Sequence, residues 1–142
     1  MKMKTLTLLT LSLVLSCSCA SAPHYFRDSE SKLPFSSSVR VGNLVFVSGH
    51  LGRDKTTGNA PADVAEEVRL MLDAFAASLA KAGMTMDNLV AVQVHCTDLS
   101  HYTTFNDIYR KRFKKNFPTR AFIGAGSLLR GCRFEILGTA AD

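Results

Sequence analysis

Four stretches of this chain alternate with a period of two, and that alternation limits the folds open to it. They are "LVFVSGH" (44–50), "LVAVQVH" (89–95), "RAFI" (120–123) and "RFEIL" (133–137). Every second side chain of a strand shares a face. One face then reads Val45, Val47, Val90, Val92, Val94, Ala121, Ile123, Phe134 and Ile136, which is wholly apolar. It is expected to lie under helices. The opposite face reads Leu44, Phe46, Ser48, His50, Leu89, Ala91, Gln93, His95, Arg120, Phe122, Arg133, Glu135 and Leu137. Large apolar groups among polar ones suit neither water nor a core, and an exposed patch of that kind marks an interface. A homo-oligomer covering this face is expected, with Arg120 and Glu135 on it or at its rim. A buried unpaired charge costs several kcal/mol, so charges on such a face are paired or functional.

Between these strands the pattern is helical. Val64, Val68, Leu72, Phe75 and Leu79 form one apolar stripe over 63–82. Asp63 and Glu66 resemble a capping box and Gly83 is a stop signal. Tyr102, Phe105, Tyr109 and Phe113 form a second stripe over 100–115. "VRVGNLVFVSGH" (39–50) is two strand-like runs joined at Gly42-Asn43, a two-residue hairpin signal. Residues 23–38 are polar and turn-rich and read as a linker. The order is ββαβαββ, an α+β fold with both helices on one side of a sheet.

The chain has 142 residues, enough for one domain, 23–142, after a leader, 1–22. The leader, "MKMKTLTLLTLSLVLSCSCASA", has two lysines, an apolar run from Leu6 to Leu15 and then small residues, the layout of an export signal. That run is too short to span a bilayer. An exported protein, periplasmic or secreted, is expected. "VLSC" makes Cys17 a candidate for lipidation, which would anchor the protein to a membrane as a lipoprotein; simple cleavage after Ala20 or Ala22 is the competitor. Of four cysteines only Cys96 and Cys132 fall in the domain, and they are expected to be separate thiols. His24, His50, His95 and His101 are scattered, no spacing resembles a metal site, and no metal is expected. The net charge of +5 is modest. The basic run "YRKRFKK" (109–115) reads as the solvated face of a helix rather than a nucleic-acid surface.

The landmarks "LVFVSGH", "TGNAPADVAEEVRLMLDAFAASLAKAG", "VHCTDLSHYTTFNDIY" and "FPTRAFIGAGSLLRGCRFEI" occur in register from about Pro34 to Ala141. Together they resemble the reactive intermediate deaminase (RidA/YjgF-like, Rid) family. The closing signature, Pro118-Thr119-Arg120-Ala121 followed by an apolar-Glu-Ile end at Glu135, is the most specific part.

The resemblance implies a chorismate-mutase-like (RidA/YjgF) fold with a mixed sheet, and a homotrimer with clefts between subunits. It implies hydrolysis of reactive 2-imino or enamine acids to 2-keto acids and ammonia, as by a 2-iminobutanoate/2-iminopropanoate deaminase, with no cofactor. The partners would be the chain itself and a small 2-imino or 2-keto acid. Matched position by position, Arg120 takes the substrate carboxylate with its planar guanidinium. Glu135 holds the hydrolytic water and moves protons. Ser48 and Asn106 support the cleft, and the Gly49 backbone lies close to the substrate. Three positions depart from the family pattern. Phe35 stands in place of a tyrosine and Phe122 in place of a cysteine, both in the substrate pocket. His50 replaces a glutamine and reads as a loop histidine near the surface; His95 reads as structural. Imino acids of this kind arise in the cytosol, so export leaves a second reading open: a non-catalytic trimer that binds small carboxylates in the same cleft. RNA cleavage through Lys111, Arg112 and Lys114 is a third.

Overall fold

The computed structural model describes residues 22–27 and 31–142. The expected leader, Cys17 included, lies outside the described residues except for its last position. The elements are β1 (His24–Phe26), β2 (Ser38–Val41), β3 (Leu44–Leu51), α1 (Val64–Lys81), β4 (Leu89–Cys96), α2 (Tyr102–Tyr109), β5 (Thr119–Gly124) and β6 (Phe134–Ala141). They form one sheet in the order β1-β2-β3-β6-β4-β5. Only β4 and β5 run parallel; the other neighbours are antiparallel. The α+β class, the mixed sheet and the ββαβαββ order stand, with the short β1 added in front. Its partner register, His24 with Arg40, draws part of the expected linker into the sheet.

The helix signals act as their chemistry requires. The Asp63 carboxylate accepts from the Ala65 N–H at 3.0 Å and caps α1. Glu66 closes no capping box; it accepts from Arg69 Nε at 2.8 Å instead. Gly83 has φ +75°, and Met84 N–H reaches back to the Leu79 carbonyl at 2.9 Å, which satisfies an end carbonyl. The second helix is shorter than its stripe, because tight turns at Leu99–His101 and Arg110–Arg112 flank it.

The core lies between helices and sheet. Val68, Leu72, Phe75 and Leu79 of α1 and Phe105 of α2 bury against Val45, Val47, Val92, Val94, Phe134 and Ile136. Cys96 and Cys132 are buried free thiols. Simple alternation fails at three places, each with a physical cause. Val90 is 47% exposed while Leu89 is buried, because the β4–β6 register slips between Leu89 and Ala91. A slip by one residue exchanges faces. A second slip between Val47 and His50 turns His50 to the helix side, where its ring meets Phe75 edge-on at 5.6 Å. In β5, Arg120 pairs with Val92 and Phe122 with Val94. Partnered residues share a face, so Arg120 and Phe122 lie on the helix side, and Ala121 and the 40% exposed Ile123 point the other way. Arg120 and Glu135 are therefore on opposite faces of the sheet, not on one.

The feature that most ties the layers together is a charge. Glu67, in the first turns of α1, is fully buried. Its Oε1 accepts from the backbone N–H of Arg133 at 2.5 Å and of Phe134 at 3.1 Å, and its Oε2 from Arg133 Nε at 2.6 Å. Arg133 also donates to the carbonyls of Pro61 and Ala62 at 2.5 and 3.2 Å. A methyl group at Gly52 would collide with the Glu67 backbone oxygen, so the loop after β3 can close over this pair only as glycine. Removing one member of a buried pair strands the other, at roughly 3–5 kcal/mol. Glu67→Ala is expected to lower the unfolding free energy by about that much in urea titration. Glu66→Ala, at the half-exposed neighbour, is expected to cost less than about 1 kcal/mol.

Candidate functional site

The residues singled out in the sequence fall into two groups, one on each side of β4. The first gathers at the bulged end of β3. The bulge falls between Val47 and His50, so Ser48 and Gly49 leave the regular ladder. Ser48 is held by two bonds to one carbonyl: its N–H and its hydroxyl both donate to Ser37, at 3.0 and 3.1 Å. A methyl group at Gly49 would collide with Glu135 Oε1, so the carboxylate of β6 lies directly over this glycine. Phe35, 54% exposed, stands opposite. Phe35, Ser48 and Gly49 line one hollow.

 That hollow, about 640 Å³, runs from the bulge across the middle of α1 to the loop after β3.

Beneath the bulge lies His50, a β3 residue and not the loop residue expected. Its Nδ1 is 2.7 Å from the Ser48 carbonyl and its Nε2 is 2.7 Å from Ser78 Oγ. A carbonyl can only accept, so Nδ1 carries the proton, and the neutral ring accepts from the Ser78 hydroxyl. Burial lowers the pKa of this imidazole; the Ser48 carbonyl and the Glu135 charge oppose that without cancelling it. His50 therefore works as a neutral brace under Ser48 and Gly49.

The second group surrounds Arg120, on the helix side of β5. Arg120 Nη2 donates to Asn106 Oδ1 at 2.7 Å. Its guanidinium carbon stands 4.8 Å from the ring centre of Tyr109, 5.5 Å from Phe105, 5.7 Å from Phe122 and 5.8 Å from Tyr102. Each contact of this kind is worth ~0.5–2 kcal/mol, depending on how far water is excluded. Burial pushes the Tyr109 hydroxyl up to about 12, so it stays neutral beside the cation. Hydrogen bonding to Asn106, then the Arg120 charge, lowers the pKa of Tyr102. The open side of this cage is a hollow of about 360 Å³ lined by Asn106, Tyr109, Arg110, Phe117, Pro118 and Arg120. In the sequence the cage is visible only as an apolar helix stripe: Tyr102, Phe105 and Tyr109 have core spacing, and nothing local says that they face a cation.

Arg120 and Glu135 do not meet within one protomer. Arg120 pairs with Val92 and Glu135 with His95 on the strand between them. Strand spacing of ~4.8 Å and a rise of ~3.3 Å per residue then put their backbones roughly 14 Å apart, on opposite faces. The basic run offers less than its sequence suggests. Arg112 donates to Asp73 at 2.5 Å and to the Arg69 carbonyl at 3.4 Å, which docks the end of α2 on α1. Among the described residues no group of three or more His, Cys, Asp and Glu side chains could hold a metal ion.

The lowered pKa of His50 has a defined consequence for stability. Its folded value lies below the unfolded value of 6.5, so the stabilisation is complete above pH 6.5. As pH falls from there through the folded pKa, the unfolded chain takes up a proton that the folded chain resists, and stability drops. His50→Gln is expected to flatten the fall in unfolding free energy between pH 6.5 and about pH 5. An unchanged slope in urea titrations would overturn this.

Comparison with known proteins agrees with the fold and with the sequence landmarks. The Endoribonuclease L-PSP family matches residues 27–142. The 2-iminobutanoate/2-iminopropanoate deaminase of Bos taurus is 36% identical over 110 residues, 77% of this chain and 80% of that one. The enzyme of the same name from Homo sapiens is 35% identical over 108 residues, 75% of this chain and 79% of that one. Among solved structures, E. coli TdcF with bound serine superposes with a TM-score of 0.74 at 30% identity, covering 79% of this chain and 91% of that one. The YjgF gene product of E. coli superposes with a TM-score of 0.73 at 30% identity, covering 78% of this chain and 90% of that one. This chain belongs to the Endoribonuclease L-PSP family, the family of the RidA and YjgF proteins.

Proposed function

We propose that the protein hydrolyses reactive 2-imino and enamine acids to 2-keto acids and ammonia, in a site completed by a second copy of the chain. The observation that carries this reading is the pair of half-sites: a caged guanidinium with an open side, and a carboxylate laid over a glycine, too far apart to share one small substrate in a single protomer. The names of the Bos taurus and Homo sapiens relatives support the reaction. A homotrimer is supported by the exposed apolar groups of the second sheet face, such as Phe46 at 48%, which an assembly would cover.

In this reading Arg120 grips the substrate carboxylate with two parallel N–H bonds, while Asn106 fixes the plane of the guanidinium. The Glu135 carboxylate of the neighbouring copy takes a proton from water as the water oxygen bonds to the imine carbon. That proton passes to nitrogen to give a carbinolamine; Glu135 then carries the hydroxyl proton to the same nitrogen, the C–N bond breaks as the C=O bond forms, and ammonia leaves. An imine is already electrophilic, so position and proton transfer carry the reaction. The exported leader belongs to the same proposal, supported by the basic, apolar and small-residue layout of residues 1–22.

The test is keto-acid release from 2-iminobutanoate generated in situ by a threonine dehydratase. Arg120→Ala and Glu135→Ala are each expected to lose at least ~100-fold in kcat/KM. Mixed oligomers refolded from equal amounts of the two inactive variants are expected to regain about one quarter of wild-type activity, because a shared site needs one intact group from each copy. No acceleration over buffer by the wild type would sink the enzyme reading. Mixed oligomers as inactive as their parents would sink the shared site.

A further inference from the structure

We infer that the hollow beside Gly49 receives the side chain of the imino acid, and that this side chain ends in a second carboxylate. The inference rests on the deaminase reading and adds to it the substrate class, a 2-imino diacid.

Three observations lead there. The first is size: about 640 Å³ lies within the range of sites for ligands much larger than a four-carbon acid. Ser48 and Gly49 form part of its wall, and the Glu135 carboxylate that would hold the water lies over that glycine, so the room adjoins the proposed water position.

The second is charge. Arg53, Lys55 and Lys81 line this hollow, against Asp73 as the acid among its lining residues. Asp73 is already bound to Arg112 at 2.5 Å, so its charge is compensated. Among the described residues Arg53 and Lys55 make no hydrogen bond or ion pair, so neither needs to leave a protein partner to take up a ligand. A planar guanidinium and an ammonium together suit a carboxylate.

The third is the graded lining between the two ends. Leu70, Ala74 and Ala77 of α1 and Phe35 of the facing segment are apolar and lie along the hollow. They suit the methylene groups between the reacting carbon and a distal acid. Phe35 extends that apolar stretch. Arg53 follows Gly49 by four residues, at most ~14 Å along an extended backbone, a gap that a five-carbon diacid and an arginine side chain together span.

The experiment compares 2-iminoglutarate, generated from glutamate by an oxidase, with 2-iminobutanoate, generated from threonine by a dehydratase. The readout is the ratio of the two kcat/KM values. The wild type is expected to favour the diacid by at least ~10-fold at low salt, with the ratio falling as salt is added. In the double variant Arg53→Ser/Lys55→Ser the ratio is expected to fall toward one. Both positions are exposed, so the variant folds. A wild type that favours the monoacid, or a ratio that the double variant leaves where it was, overturns the inference. If neither imine is turned over, the deaminase reading fails by itself, and calorimetry with 2-ketoglutarate and 2-ketobutanoate decides the pocket. Tighter binding of the diacid, lost in the double variant, supports it; equal binding overturns it.

Discussion

A carboxylate shut away from water holds the layers of this protein in place. Glu67 on α1 receives three hydrogen bonds from Arg133 and Phe134, at the point where the chain enters β6. An unpaired charge there would be intolerable, so the helix has one rotation and the strand one starting point at which the fold is stable. The Arg133 fork reaches on to the carbonyls that precede α1. Two residues beyond Arg133 comes Glu135. Its position over Gly49 is therefore fixed by a structural ion pair on the far side of the strand.

Much of the scaffold was legible because local signals and the global fold agree. The Gly42-Asn43 hairpin, the Asp63 cap, the Gly83 stop and the α1 stripe each had one chemically sensible outcome, and each was realised. What could not be read were the places where strand parity is set by a neighbour. The bulges at Ser48–Gly49 and at Val90 add a residue that no composition announces. Strand alternation alone puts Arg120 on the wrong face, because a cation beside core residues looks misplaced until the rings of α2 are known to surround it. Glu67 was hidden for the same reason. On a helix, one glutamate in the run "EE" looks like its neighbour, and only the distant Arg133 distinguishes them.

The site was legible as a set of residues and not as a geometry. Sequence landmarks name Arg120, Asn106 and Phe122, and Phe35, Ser48, Gly49 and Glu135, without saying that they divide into two clusters on either side of β4. Within the protomer each cluster has its own supports: rings and Asn106 for the guanidinium, the neutral His50 and the Ser37 carbonyl for the bulge. In the proposed assembly the two would face each other across copies of the chain. The second sheet face then serves catalysis indirectly, since the surface that joins copies also sets the distance between the halves.

The ring cage around Arg120 bears on affinity as well as on position. A free arginine must shed water and lose rotational freedom before it can bind a carboxylate, and both penalties weaken association. Here four aromatic rings and one amide have already displaced part of that water and fixed the side chain before any ligand arrives. The cost is met during folding, by the same contacts that pack α2 onto the sheet. Capture of a short-lived anion can then approach the encounter rate, because little remains to be reorganised when the anion arrives.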